Sequence, residues 1–355
     1  ALMLHETPYI SGTHSSQRPA VDASFVTIRD SFSDCMPIRN EDGRINLLLT
    51  GECFADPGTF SELKSHGHTF ALGNASSLVH LYEEQGEGFF GRLNGWFNGL
   101  LIDERVGKAY LFNDRYGIRR IYYYETTDGL YFSSEAKSLL ALFPETREID
   151  SRGLGEYLTF DSVLSDRTLF KGIRIMPAGS LWTFDGHRIE QRSHCDSASL
   201  EGQPKLSVAG YLEKLEETLL RVLPRYLAGV SKCMALTGGI DTRLVIACAN
   251  ARPGDLPCLT HGGMYHEMLD VRIARRVAKA CGQKHTTIPL DREFLAQFPE
   301  LAEKTIYITD GLASVIESHH LYLNRIIRET AAVKITGKYG SQVIKKISAF
   351  HRPMG

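Results

Sequence analysis

A chain of 355 residues with 43% hydrophobic and 23% charged side chains is long enough for two domains and has a water-soluble, globular composition. Its net charge of −2 excludes bulk electrostatic attraction to nucleic acid or to an acidic membrane surface. No apolar run approaches the ~20 residues that span a bilayer, and no basic-then-apolar leader is present.

In chain order, roughly the first 200 residues read as β-rich. Short strands are expected at 45–49, 98–102, 109–112, 121–124, 130–132 and 180–184, with Asp128-Gly129 and Asp185-Gly186 as turns. Helices interleave at 76–85 and 134–142, which together suggest an α+β sandwich. Tyr122, Tyr123 and Tyr124 alternate across a strand and are explained by core packing. A polar stretch at 191–205 without apolar periodicity marks a domain boundary. Beyond it, Leu212, Leu215, Leu219, Leu220 and Leu223 stand at helical spacing over 211–226. Strands at 233–236, 256–260 and 332–336 then alternate with helices at 242–250, 270–281 and 318–330. That alternation predicts a parallel sheet flanked by helices, with ligands at the carboxyl ends of the strands.

The seven cysteines are scattered, odd in number and contain no C-x-x-C pair. A disulfide framework or a zinc site is therefore not expected, and a reducing cytoplasm fits. Cys233, Cys248 and Cys258 lie in apolar runs and read as buried structural thiols.

The most informative segment runs from Met234 to Arg243: a buried strand, the pair Gly238-Gly239, and the start of a helix. Two glycines let backbone approach a ligand, and the first-turn amides of the following helix attract anions. Asp241 would repel a bare phosphate but could hold one through Mg2+. An ordinary strand-to-helix turn is the alternative reading of the glycines, and neither a Walker loop nor a G-x-G-x-x-G fingerprint is present.

The segment resembles the S-G-G-x-D-S pyrophosphate loop of N-type ATP pyrophosphatases, with Thr237 and Thr242 in place of the serines. Flanking motifs extend the resemblance. Thr50-Gly51-Glu52, Gly91-Arg92-Leu93-Asn94-Gly95-Trp96-Phe97, Asn113-Asp114-Arg115-Tyr116-Gly117-Ile118, residues 131–139 and Met176-Pro177-Ala178-Gly179 are similar to a class II glutamine amidotransferase domain. Asp270, Ala274, Val277, Ala278, Gly282 and His285 resemble the synthetase domain. The chain thus resembles the asparagine synthetase family, whose relatives include β-lactam synthetases and lasso-peptide cyclases. The resemblance implies a four-layer αββα, Ntn-hydrolase-like sandwich over 1–200 and an α/β parallel-sheet ATP pyrophosphatase domain over 205–355.

Departures from the family pattern narrow the expectation. The family nucleophile is a cysteine whose own α-amine is its base, whereas this chain begins Ala1-Leu2-Met3. Thr50 stands where the oxyanion-hole asparagine is found, and Ala75 where an aspartate holds the substrate's amino group. A domain without glutaminase activity is expected, with Gly51 and Glu52 as candidate substrate contacts or turn residues. The second acidic loop of the family aligns with Thr336-Gly337-Lys338-Tyr339-Gly340-Ser341-Gln342, which lacks the carboxylates. Lys338 could meet phosphate as a point charge or be a solvated loop lysine. Relatives continue past this loop, so Gly355 reads as the end of a partial chain.

The resemblance assigns ATP to Leu236, Thr237, Gly238, Gly239, Asp241, Thr242, Arg243, Thr260, Gly262, Thr336 and Gly337. It assigns Mg2+ to Asp241 and catalysis to Asp241 and Lys338. Adenine would pack near His261-Gly262-Gly263, or these are a plain turn. Asp270 reads as a helix N-cap or a substrate contact, and Asp310 as a substrate contact or a turn residue. His319 and His320, adjacent on a helix, point about 100° apart and read as structural. The implied activity is carboxylate adenylation (ATP to AMP and pyrophosphate) followed by amide formation. Its partners are a small-molecule or peptide carboxylate and an amine donor, without nucleic acid or membrane, and a homodimer is an allowed assembly. Two rivals stand: glutamine-hydrolysing asparagine synthesis with a cysteine hidden by the numbering, and a non-catalytic nucleotide-binding scaffold.

Overall fold

The computed structural model describes residues 2–6, 9–55, 57–186, 188–196, 198, 202–227, 231–338 and 340. Two units, Ala1–Gln203 and Pro204–Gly355, each close on their own cores.

In unit 1, β1 (Tyr9–Gln17) and β2 (Ala20–Ile28) pair as a separate hairpin. β3 (Ile38–Arg39), β4 (Ile45–Cys53), α1 (Pro57–Ser65), α2 (Ser77–Gln85), α3 (Gly88–Arg92), β5 (Gly95–Asp103) and β6 (Lys108–Asn113) follow. The unit continues through β7 (Tyr122–Thr126), β8 (Gly129–Ser133), α4 (Ala136–Leu142), α5 (Ser151–Phe160), β9 (Arg174–Ile175), β10 (Ser180–Phe184) and β11 (Ile189–Ser193). An antiparallel sheet runs in the order β11-β10-β6-β5-β4-β3, and a smaller one in the order β8-β7-β9.

Period-two alternation divides the large sheet's side chains between two cores. Ile45, Leu47, Leu49, Phe97, Leu101, Tyr110, Phe112 and Leu181 face α2 and α3, which contribute Leu78, Val79, Tyr82, Phe89 and Phe90. The intervening Leu48, Leu100, Ile102, Ala109, Leu111 and Trp182 face the small sheet through Ile121, Tyr123, Leu130 and Phe132. Helix α4 contacts β7 and β8. Phe90 meets Phe89 and Phe112 edge-on with centroids 5.1 and 5.0 Å apart; emptying such a site costs about 3–5 kcal/mol. Tyr123 meets Trp182 edge-on at 4.7 Å, so the tyrosine run does pack into the core.

In unit 2, α6 (Val208–Leu227) precedes β12 (Lys232–Ala235), α7 (Ile240–Cys248), β13 (Cys258–Gly262), α8 (Leu269–Ala280), β14 (His285–Pro289), α9 (Arg292–Thr309), α10 (His319–Arg328) and β15 (Val333–Ile335). The strands are parallel in the order β14-β13-β12-β15. Alternation again splits the faces. Met234 and Cys258 pack with Ile246 of α7 and Ala274 and Ala278 of α8. Cys233 and Leu259 pack with Phe294 and Leu301 of α9 and Leu323 and Ile327 of α10. Among the described residues, no helix is long and apolar enough to cross a membrane.

Several elements differ from the sequence expectation. The hairpin β1–β2 was not expected, because Ser11 to Ser16 offer little apolar alternation; its register is carried by the backbone ladder. β4 runs past 49 and β5 starts before 98, because Thr50 to Cys53 pair with Asn98 to Gly95. Also unexpected was α9, which carries an internal Pro299; Asp291 caps it, accepting from the amides of Glu293 and Phe294. Helix α6 forms, but its apolar stripe is only partly covered: Leu212 and Leu220 stay about half exposed.

Candidate functional site

Chain order places the site. β13 and β14 add to one side of β12, and β15 adds to the other. Helix connections diverge there, and open parallel sheets bind ligands in the crevice this leaves at the carboxyl ends. Because Met234 pairs with Ile335, the loops after β12 and β15 open side by side.

Leu236 is fully buried, and its amide donates to Leu259 O at 2.9 Å, continuing the sheet into the loop. The turn that follows is held by hydroxyls. Thr242 Oγ1 accepts from the Thr237 amide and sits 3.1 Å from Thr237 Oγ1, which accepts from the Gly239 amide. The Gly238 amide donates to Asp270 Oδ1 at 3.0 Å. An added Cβ at Gly238 would stand 2.7 Å from that oxygen, so a side chain there would displace the Asp270 carboxylate from the turn. Asp270 is therefore not the N-cap of α8, a position held by Met268; its carboxylate reaches across to the loop instead.

From the other side, Gly337 rests on the first turn of α7. A Cβ there would lie 2.7 Å from Thr242 N, and one on Gly340 would lie 2.9 Å from Asp241 Cβ. The resulting cradle presents the α7 first-turn amides, which a helix leaves without intrahelical partners. It also presents Asp241 in the first turn and the exposed Arg243, while the two threonine hydroxyls brace the turn from within. This set suits a phosphate group, and one carboxylate with phosphates and water can complete a Mg2+ shell. Thr336 and Lys338 are exposed in the β15 loop; Tyr339, Ser341 and Gln342 lie outside the described residues.

The remaining candidates separate from the cradle by what they touch. Thr260 is buried, its hydroxyl donating to Leu236 O at 2.6 Å and meeting His285 Nε2 at 2.9 Å. Gly262 abuts Thr287, and its carbonyl accepts from the Leu290 amide. Asp310 ends α9 with φ 54°, followed by Gly311 at φ 78°, a helix-terminating turn. Burial lowers the pKa of both His261 and His285, and the neighbouring His319 adds to the effect on His261. His319 and His320 do face each other, with ring centroids 4.1 Å apart. His319 stands at the junction of a 3-10 turn (Val315–Ser318) and α10, and its Nδ1–H donates to Ile316 O.

In unit 1, Gly51 has φ 110°, and a Cβ would fall 2.0 Å from Trp96 O, so the β4–β5 pairing itself requires glycine there. Glu52 pairs opposite Trp96, and Thr50 opposite Asn98. Ala75 is 0% exposed within the helix-side core. Asp114 accepts from the amides of Tyr116, Ile118 and Arg119, and Asn113 bridges to Pro177 O and the Ser180 amide. Those two motif residues hold loops.

Residues 2–195 match the family model of a glutamine amidotransferase domain, and residues 214–352 match that of asparagine synthase. Asparagine synthetase [glutamine-hydrolyzing] 2 of Bacillus subtilis is 29% identical over 238 residues, 62% of this chain and 31% of that protein. Asparagine synthetase [glutamine-hydrolyzing] 1 of the same organism is 21% identical over 358 residues, 99% of this chain and 56% of its own. Amidase chyE of Penicillium rubens is 28% identical over 295 residues, 75% of this chain and 42% of its own. The chain spans between 31% and 56% of the length of these relatives. Unit 1 is of the glutamine amidotransferase type and unit 2 is a parallel-sheet domain. Both matches, in this order along one chain, place it in the asparagine synthetase family.

Proposed function

We propose that this chain carries the ATP site of an ATP-dependent, amide-forming ligase that activates a carboxylate by adenylation. The observation that carries the reading is the packing of Gly337 against the Thr242 amide, which brings the loops after β12 and β15 together around the first turn of α7. The first-turn amides of α7 with Thr237 and Thr242 would hold the pyrophosphate, aimed at the charge that develops as the α–β bond breaks. Asp241 would hold Mg2+, which supplies charge neutralisation between the phosphates. Arg243 and Lys338 would neutralise the outer oxygens. The layer order of unit 1 (α2 and α3, large sheet, small sheet, α4) supports an αββα sandwich over 1–200, with the ATP domain over 205–355. Seven free thiols suit a cytoplasmic protein.

Unit 1 is proposed to lack glutaminase activity. Ala75 offers a buried methyl where the family needs a carboxylate for the substrate's ammonium, and Thr50 replaces the oxyanion-hole amide. The amine would then be free ammonia or an amine on the substrate itself. The names of the Bacillus subtilis relatives favour a second reading, glutamine hydrolysis in unit 1. Glutamate release from glutamine distinguishes the two. Pyrophosphate release from ATP–Mg2+, with ammonia and a panel of carboxylates, tests the ligase reading. Release that depends on a carboxylate and disappears in Asp241→Asn supports it. A protein that does not bind ATP would sink it.

A further inference from the structure

Four metal-ligating side chains converge in unit 1. His80 and Glu83 stand three residues apart on one face of α2, His68 lies on the loop before that helix, and Glu41 lies on the β3–β4 turn. His80 Nδ1 is 3.0 Å from Glu83 Oε2 and 3.6 Å from Glu41 Oε1. His68 Nδ1 is 3.9 Å from each of the same two oxygens. Nδ1 of both imidazoles therefore lies beside the same two carboxylate oxygens. One donor atom from each residue lies within 4.8 Å of the other three. Tetrahedral Zn2+, with bonds of about 2.0–2.2 Å, sets its ligand atoms roughly 3.3–3.6 Å apart, inside the range seen here.

The outer partners match as well. His68 Nε2 meets Glu84 Oε1 at 2.9 Å, and Glu83 Oε1 accepts from Asn40 Nδ2 at 2.8 Å. A carboxylate behind a ligating imidazole and a donor behind a ligating carboxylate are what orient such groups on a metal. His80 is 5% exposed and Glu83 16%, while Glu41 is 57% exposed and forms the mouth. Two neutral imidazoles with two carboxylates balance a divalent charge. Mixed nitrogen and oxygen donors favour a transition ion over Mg2+ or Ca2+, which take oxygen.

We propose that Glu41, His68, His80 and Glu83 form a structural site for a divalent transition ion of the Zn2+ class. The ion would tie the β3–β4 turn, the α1–α2 loop and α2 together, and because it binds only the folded chain it would stabilise unit 1. The test titrates the chelator-treated full chain with Co2+, reading the visible bands of tetrahedral cobalt, and follows the thermal midpoint with added Zn2+. One Co2+ per chain is expected, with affinity reduced about tenfold or more in Glu41→Gln, whose exposed side chain leaves folding intact, and the bands lost in His68→Gln. Zn2+ should raise the midpoint of the wild type and not of His68→Gln. The pair His319→Ala and His320→Ala, which removes the cluster beside Glu317, should change neither result. Equal Co2+ binding in wild type, Glu41→Gln and His68→Gln, or no Zn2+ effect on the wild-type midpoint, would show a plain His–Glu ion-pair cluster and overturn the proposal.

Discussion

The Gly238 amide and the Asp270 carboxylate, 32 residues apart in sequence, meet at 3.0 Å and pin helix α8 to the glycine turn. A hydrogen bond to a charged acceptor is worth about 1.5–3 kcal/mol when buried, and this one is exposed, so a figure near 1 kcal/mol is expected. Asp270→Ala should lower stability by about that amount. Asp270→Asn, which keeps an acceptor, should stay close to wild type. Urea midpoints compare them, and an asparagine variant as weak as the alanine one would show that the charge, not the acceptor, matters.

Close approach at Gly337 leaves no room for a side chain. Gly337→Ala puts a methyl 2.7 Å from Thr242 N, against rigid backbone. The β15 loop must then lift from α7, and a loss of tenfold or more in ATP affinity, about 1.4 kcal/mol, is expected. Gly155→Ala, on the exposed face of α5 with nothing within 4 Å of its added carbon, serves as the control. Helix propensity makes that change stabilising by about 0.5–1 kcal/mol. Equal ATP affinity in Gly337→Ala and wild type would place the nucleotide elsewhere.

Burial holds the pKa of His285 below its ordinary 6.5, with Arg275 adding to the effect. Above that pH the imidazole is neutral in both folded and unfolded chains. As pH falls below about 6.5 the unfolded chain takes up a proton that the folded one refuses, so stability falls with acidification. His261 and His320 are lowered too and act in the same direction. Thermal midpoints should decline below about pH 6.5, less steeply in His285→Gln. An unchanged slope in that variant would remove His285 from the account.

Desolvation raises the thiol pKa of Cys258 to about 12 and pushes that of the buried Cys53 beyond the ordinary thiol range. Thiolates are the reactive form. In the native protein near pH 8, iodoacetamide should therefore spare Cys53, Cys233, Cys248 and Cys258 while all seven cysteines react after denaturation. Peptide mass spectrometry reads this directly. Rapid native labelling of Cys258 would contradict the packing of β13.

What was legible in the sequence was local. Strand, glycine pair and helix around Gly238 are written in consecutive residues, and leucine spacing announced α6. Contacts made by topology were not legible. Nothing near Gly337 says that β15 will insert beside β12 rather than beside β14, yet that choice brings Gly337 onto Thr242. Asp270 carried every local mark of a cap, and only the fold shows it spent on Gly238. His68 comes from the α1–α2 loop, His80 from α2 and Glu41 from the β3–β4 turn; cysteine spacing, the usual sign of a zinc site, was silent about them. The β1–β2 hairpin escaped because its pairing is written in backbone amides rather than in apolar alternation.

Calorimetric titration of the chain with ATP and Mg2+ tests the central claim most directly. One saturable site per chain is predicted, dependent on Mg2+ and weakened at least tenfold, about 1.4 kcal/mol, in Asp241→Asn. No saturable binding, or binding that Asp241→Asn leaves untouched, would contradict the assignment of the Thr237–Thr242 turn as a pyrophosphate cradle.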